Sequence, residues 1–369
     1  MSSPETSVRE LLFYHAFSCV GGFGPQKFKK LLSYFGSLEK AWGAGREDLI
    51  AADIGPAATK NFLEKRNGLV PEKLFSELEK EHIGLITPSS QFYPSQLKET
   101  PSAPAVIYGR GNLEILKNKS IAVVGSRKFT EYGQRATQNL CRDLVRAGLT
   151  IVSGLALGID AIAHRATLDA EGSTIAVLGT GIDDETIYPR DNFNLAHDIL
   201  ANGGTLITEY PPKTPSLKQN FPARNRIMAG ITLGTLVVEA ALDSGSLITA
   251  GLALESGREV FAVPGPIFSP QSAGANFLLK SGAKLVESAT DVLQELNLSE
   301  SNRPAPQKIY EPKTREEKKI WNALSSDPLH VDRLVKLTRL NPATIGSTLA
   351  TLEIQGVVKN IGGQNYIRI

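Results

Sequence analysis

Seven short β-branched runs alternate with helical stretches between Ser120 and about Leu296, which predicts an α/β protein built on a doubly wound, mostly parallel sheet. Two further observations complete the fold class. Residues 8 to about 85 repeat apolar runs at helical spacing between short Gly-containing breaks, the pattern of an all-helical unit ahead of the sheet. The last stretch reads as three helices followed by a hairpin. With 369 residues, 41% hydrophobic and 21% charged, the chain is long enough for two or three domains with buried cores. The expected boundaries are 1–86 for the helical unit, 87–298 for the sheet domain, 299–312 for a linker and 313–369 for the final unit.

In the helical unit, Val8-Arg-Glu-Leu-Leu-Phe-Tyr and Lys27-Phe-Lys-Lys-Leu-Leu-Ser-Tyr-Phe carry the periodic signal. Two of the breaks are alike. Val20-Gly-Gly-Phe-Gly24-Pro25 and the shorter Ala52-Asp-Ile-Gly55-Pro56 each place Gly-Pro directly ahead of a helix carrying Lys27 or Lys60, as in a helix-hairpin-helix (SAM-like) element. Such a turn either aims free backbone N–H groups at a phosphate or simply joins two helices.

The segment Thr87–Asn118, with Pro88, Pro94, Pro101 and Pro104, is expected to be an extended connector lying against the sheet, since Val106-Ile-Tyr is too apolar for a free tether. The strands begin at Ser120, Leu149, Thr174, Thr205, Thr235, Glu259 and Lys284. Their near-continuous apolar character fits a sheet covered on both faces, and intervening helices such as Glu131–Ala147 are close to the length a crossover requires.

A Pro-containing polar linker from Asn297 to Pro312 leads to helices expected over Arg315–Leu324, Val331–Thr338 and Pro342–Gln355, then a hairpin across Gly362-Gly363. This is the winged-helix order, in which the third helix commonly enters the major groove. Here that helix offers Thr344, Ser347, Thr348 and Glu353 and no Lys or Arg, which favours protein contact over base reading.

The formal net charge of +2 conceals an uneven distribution: residues 301–369 hold 11 basic and 6 acidic side chains, whereas residues 91–300 hold 18 and 21. The two cysteines, Cys19 and Cys141, form neither a disulfide framework nor a C-x-x-C pattern and read as buried thiols of a reducing compartment. Charged residues precede the first apolar run, and no stretch reaches about 18 consecutive apolar residues, so the expectation is a cytoplasmic protein without membrane contact.

Candidate function gathers at the strand ends. Gly125-Ser126-Arg127, Ser153-Gly154-Leu155, Gly179-Thr180-Gly181, Glu209-Tyr210-Pro211, Glu239 and Pro264-Gly265 share one edge of a doubly wound sheet, where such folds place ligands. Glycine admits close backbone approach, Ser126 and the following helix N-terminus offer donors to an anion, and Arg127 adds a fork matched to phosphate. Between Tyr210 and Val238 there is no Asp or Glu, yet Lys213, Lys218, Arg224 and Arg226 surround Phe221. A basic loop with one aromatic suits an unpaired nucleic-acid strand, which offers both charge and flat faces.

As a set, Ala122-Val-Val-Gly-Ser-Arg127, Ser153-Gly-Leu-Ala-Leu-Gly-Ile-Asp160-Ala-Ile-Ala-His164, Leu178-Gly-Thr-Gly-Ile-Asp183 with Tyr188-Pro-Arg190, Phe221-Pro-Ala-Arg-Asn-Arg-Ile, Ser244-Gly-Ser-Leu-Ile-Thr-Ala and Arg258-Glu-Val-Phe-Ala-Val-Pro-Gly265 closely resemble the DNA processing protein A (DprA/Smf) family. The resemblance implies a Rossmann-like domain that binds single-stranded DNA, forms a homodimer, protects incoming DNA and loads a RecA-type recombinase onto it in natural transformation and recombination, without catalysis. Carried over by position, the phosphate-gripping arginine falls on Arg127, a lysine on Lys218, a basic residue on Arg190 and the stacking aromatic on Phe221, within a DNA site that also takes in Gly125, Ser126, Ser153, Gly154, Arg224 and Asn225. Arg224 and Arg226 either continue the groove or pair with Glu209 or Glu239 as structural ion pairs, and Asn225 shapes the loop.

Other features read as structural. Asp160 and His164 stand four apart and are expected to bond to each other at a helix start; Asp183 and Asp184 read as turn residues, and Phe277 as core. Gly125-Ser-Arg-Lys-Phe-Thr lacks the later glycines of a dinucleotide fingerprint and there is no P-loop, so no cofactor and no metal is expected. The rival function is a nucleotide-processing enzyme, because Gly234-Thr235-Leu-Val-Val-Glu239 looks like the Gly-Thr and Glu block of the lysine-decarboxylase-like phosphoribohydrolases. Ile231-Thr-Leu stands where that family has Pro-Gly-Gly, and Glu239 lies one residue further from Thr235 than in that block.

Overall fold

A computed structural model describes residues 7–298, 312–325 and 328–368. The chain divides into two compact units, Met1–Asn302 and Arg303–Ile369. The linker expected over 299–312 lies, except for Pro312, outside the described residues.

The first unit opens with six helices: α1 (Val8–Val20), α2 (Pro25–Phe35), α3 (Leu38–Gly43), α4 (Arg46–Ala51), α5 (Pro56–Arg66) and α6 (Pro71–Lys80). Pro25, Pro56 and Pro71 each begin a helix, where a missing N–H removes no intrahelical bond. Phe17 stacks on Phe62 at 4.9 Å and meets Trp42 edge-on at 5.1 Å, so aromatic packing holds the bundle. The two Gly-Pro turns brace each other through α5, whose Asn61 and Lys65 donate to the Val20 carbonyl at 3.1 and 2.9 Å. Lys27 folds back onto the Gly22 carbonyl, and Lys60 faces Glu64 one turn away.

Nine strands form the sheet in the order β1 (Gly84–Ile86), β2 (Ile107–Gly111), β6 (Thr205–Thr208), β5 (Thr174–Leu178), β4 (Thr150–Ser153), β3 (Ser120–Val124), β7 (Gly234–Val237), β8 (Glu259–Ala262), β9 (Lys284–Leu285). All seven expected strands are present as β3 to β9 and pair in parallel, with Ile121 opposite Ile151 and Val123 opposite Leu236. Strands β3 to β7 are buried along their whole length, which is why they lack polar alternation.

The expected connector is more structured than its prolines suggest. It contributes β2 and the short α7 (Ser95–Lys98), and β2 pairs antiparallel with both β1 and β6. The prolines fall outside the paired residues, so the apolar Ile107-Tyr108 run joins the sheet edge. Crossovers run through α8 (Glu131–Arg146), α9 (Ile159–Asp169), α10 (Phe193–Ala201), α11 (Asn220–Ile231), α12 (Gly245–Glu255) and α13 (Ala273–Lys280), and α14 (Ala289–Glu295) follows the last strand. Phe277, expected in the core, is half-exposed on α13, while its neighbour Leu278 is buried. No helix among the described residues is long and apolar enough to cross a membrane.

The second unit is a winged helix: α15 (Arg315–Ala323), β10 (Leu329–His330), α16 (Val331–Thr338), α17 (Pro342–Ile354), β11 (Val358–Asn360) and β12 (Asn365–Arg368). Ile320, Leu334, Ile345, Leu349 and Leu352 form its core. The hairpin turns at Gly362 and Gly363, both at positive φ, and β10 adds a third strand beside β12.

Candidate nucleic-acid interface

The carboxyl ends of β3 to β6 supply one pocket, lined by Arg127, Gly154, Ala156, Leu157, Tyr188, Pro189, Phe221 and Arg224. Its glycines serve packing within the protein. A Cβ on Gly125 would stand 2.7 Å from the Ile159 side chain and 2.9 Å from the Glu239 carbonyl, so this glycine lets α9 close onto β3. Gly158, at φ 82°, brings the loop after β4 against Ser126 and the Arg127 backbone, where Ile159 N donates to the Ser126 carbonyl at 3.2 Å. Arg127 is thereby fixed at its backbone while its side chain is exposed.

Two serines expected at the ligand face inward instead. Ser126 Oγ is bonded to the Lys128 carbonyl and to Gln271, each at 2.8 Å, and accepts from Lys128 N. Ser153 is fully buried and donates across the sheet to the Val123 carbonyl at 2.7 Å. The helix start after Arg127 also has its anion built in: the buried Glu239 carboxylate accepts from Thr130 N at 2.9 Å and Thr130 Oγ1 at 2.5 Å, at the cap of α8. The phosphate donors expected from Ser126 and this helix N-terminus are therefore engaged inside the protein.

The basic segment after β6 is half helix. The sequence suggests a loop, yet α11 starts at Asn220, and Pro222 falls in its first turn where no N–H is required. Lys218 precedes it and is exposed. Phe221, half-buried in the first turn, lies over Gly179, where a Cβ would stand 3.0 Å from the ring, and meets Tyr188 with ring centroids 5.8 Å apart. The structure thus brings Arg127 and Phe221 to one pocket.

The other basic residues divide. Arg226 pairs with Glu209, both largely buried, and donates to the Ser102 carbonyl, which is the structural alternative. Arg224 is buried beneath Gly154 and bonds the Val177 carbonyl; burial lowers its proton affinity to about 10, while Asp160 acts to raise it and Arg127 to lower it further. Asn225 is buried, 3.5 Å from the Gly245 carbonyl, linking α11 to α12. Arg190 is exposed, covers the Phe193 ring at 4.4 Å and donates to the Asp184 carbonyl at 2.6 Å.

Asp160 and His164 do not bond to each other. Asp160 accepts from Gly154 N at 3.1 Å and shapes the pocket floor, and burial raises its pKa. His164 meets Thr174 Oγ1 at 2.7 Å, and burial lowers its pKa to about 3. Asp183 accepts from Thr186 Oγ1 and Lys213 N, as a turn residue does. Tyr188 was missed: its ring, 44% exposed, forms the second aromatic wall. The signal is Tyr188-Pro-Arg190, in which the aromatic stands two residues before the basic residue.

Comparison with known proteins places these features in context. Residues 84–297 match the family model of DNA recombination-mediator protein A, and residues 303–364 match the DprA winged helix domain. Protein Smf of Synechocystis is 35% identical over 97% of this chain and 99% of its own length. Protein Smf of Escherichia coli is 49% identical over 59% of this chain, a match that spans 58% of that protein. The X-ray structure of DNA processing protein A from Streptococcus pneumoniae superposes with TM-score 0.68 and 36% identity, over 79% of this chain and 99% of that one. A Helicobacter pylori DNA processing protein A, solved for its single-stranded DNA binding mode, gives TM-score 0.52 and 28% identity, over 58% and 95%.

Proposed function

Because this chain belongs to the DNA recombination-mediator protein A family, we propose that it binds single-stranded DNA along the carboxyl edge of its parallel sheet, protects incoming strands, and loads a RecA-type recombinase onto them as a cytoplasmic homodimer. One observation carries the DNA-binding reading: a cation and two aromatic rings, Arg127, Phe221 and Tyr188, line the same pocket. Arg127 and the exposed Lys218 and Arg190 hold successive phosphates, and the rings give a base a stacking face. Contacts of this kind tolerate any base sequence. The solved relative from H. pylori supports the choice of an unpaired strand.

The enzymatic rival loses its central residue. Glu239 is 1% exposed, its carboxylate is bonded by Thr130, and a Cβ on Gly133 would touch it, so it faces the start of α8 rather than a substrate. The test is fluorescence anisotropy of the full chain with single- and double-stranded oligonucleotides of equal length, without added nucleotide. Marked preference for the single strand is expected; equal or stronger duplex binding refutes the reading.

A further inference from the structure

The loop that carries Lys218 is tied to the helical unit at one residue. Between Thr208 at the end of β6 and Asn220 at the start of α11, Lys213 takes a left-handed φ of 65°, a conformation that a lysine keeps only where its surroundings impose it. Two carboxylates do so. Asp183 accepts from the Lys213 backbone N at 2.6 Å, and Glu77 of α6 accepts from its Nζ at 3.2 Å. The next residue extends the join, since Gly181 N donates to the Thr214 carbonyl at 2.9 Å. Gly181 and Asp183 belong to the loop after β5, in which Gly179 lies under the Phe221 ring. The placement of Lys213 therefore bears on Lys218, further along its own loop, and on the stacking ring.

Packing does not fix this loop against the helices. A cavity of about 170 Å³ lies between α1 and α6 on one side and Pro212 and Lys213 on the other, with His15, Cys19, Leu74 and Leu78 on its helical wall. The Glu77–Lys213 pair bridges it, and among the described residues this is the only ion pair between residues 7–80 and residues 209–219. The two side chains remain 42% and 64% exposed, so the pair is weak and the effect of losing it is modest.

We propose that Glu77 is a positioning residue for strand binding: through Lys213 it holds the β6–α11 loop, and with it Lys218, in the binding arrangement without touching the strand. The helical unit thereby contributes to affinity at a pocket it does not line. The inference rests on the single-strand reading for its affinity measurement. The sign of one substitution separates positioning from plain electrostatics. Removing a carboxylate near a nucleic-acid site ordinarily strengthens binding, and here it would also free the Lys213 ammonium for phosphate. Positioning predicts the reverse.

Anisotropy titration of the full chain with labelled oligo-dT at fixed salt, paired with hydrogen–deuterium exchange over residues 209–219, tests this. Glu77→Gln is expected to weaken binding about two- to fivefold, the range an exposed ion pair supplies, and to speed exchange in that segment. Glu81→Gln is the control. Glu81 lines the same cavity and acts on Lys213 through space, with no ion-pair contact to it among the described residues, so its loss leaves binding unchanged or slightly tighter. In a Lys213→Met background Glu77→Gln should weaken binding no further, because the bond it removes is already gone. Unchanged or tighter binding by Glu77→Gln, equal exchange in wild type and variant, or the same weakening in both backgrounds each overturns the proposal. Wild type that binds oligo-dT while Glu77→Gln binds equally well sinks the inference alone. Wild type that does not bind oligo-dT sinks the single-strand reading and the strand role of Glu77 together.

Discussion

Replacing Phe221 by alanine separates the two kinds of contact assigned to the interface. The ring is half-buried in the first turn of α11, against Gly179 on one side and Tyr188 on the other, and its remaining face opens into the pocket. Its loss removes one stacking partner, about 1 to 3 kcal/mol, which corresponds to roughly 5- to 150-fold weaker binding. It removes no charge. A plot of log affinity for oligo-dT against log salt concentration, measured by anisotropy, should therefore drop without changing slope. Lys218→Ala is the control, because a phosphate contact contributes about 0.7 to the slope. Lys218 is exposed, so folding is untouched by its removal. If Phe221→Ala flattens the slope as Lys218→Ala does, or leaves affinity unchanged, the stacking role is refuted.

Glu239→Gln should lower stability by about 1 to 3 kcal/mol in urea unfolding, since it weakens charged bonds to Thr130 at the cap of α8, while oligo-dT binding persists; an unaffected urea midpoint would contradict the capping role. Acid should destabilise the first unit through two buried histidines, His15 and His164, with pKa lowered by burial from 6.5 to about 4 and about 3. Below pH 6.5 the unfolded chain takes up protons that the folded chain refuses, so stability present at neutral pH is lost as pH falls, by about 2 kcal/mol per histidine at pH 5. Urea midpoints of wild type and His164→Asn between pH 7 and 5 check this: the variant should lose less, and parallel curves would exclude His164 as a contributor.

The parallel strands were legible because burial on both faces leaves continuous β-branched runs, and the carboxyl-edge rule then placed Arg127 and Phe221 near each other. The edge strand β2 was not, because prolines flanking Ile107–Gly111 look like loop punctuation although none lies within the pairing. Likewise Pro222 and three basic residues disguised the start of α11. At the site, residue type alone does not say which way a hydroxyl points: Ser126 and Ser153 satisfy their own backbone surroundings. Nor does it separate Arg226, paired with Glu209, from Arg224, buried near Asp160, because that depends on which carboxylates the fold brings close. Glycines expected to admit a ligand instead admit Ile159 and the Arg224 guanidinium.

Photocrosslinking of oligo-dT carrying single 4-thiothymidines to the full chain, with the attached peptides mapped by mass spectrometry, addresses the interface most directly. Adducts should concentrate on the segments bearing Tyr188 and Phe221 and vanish with Arg127→Ala. Adducts confined to residues 7–80 or to the winged helix would show that unpaired strands are held elsewhere.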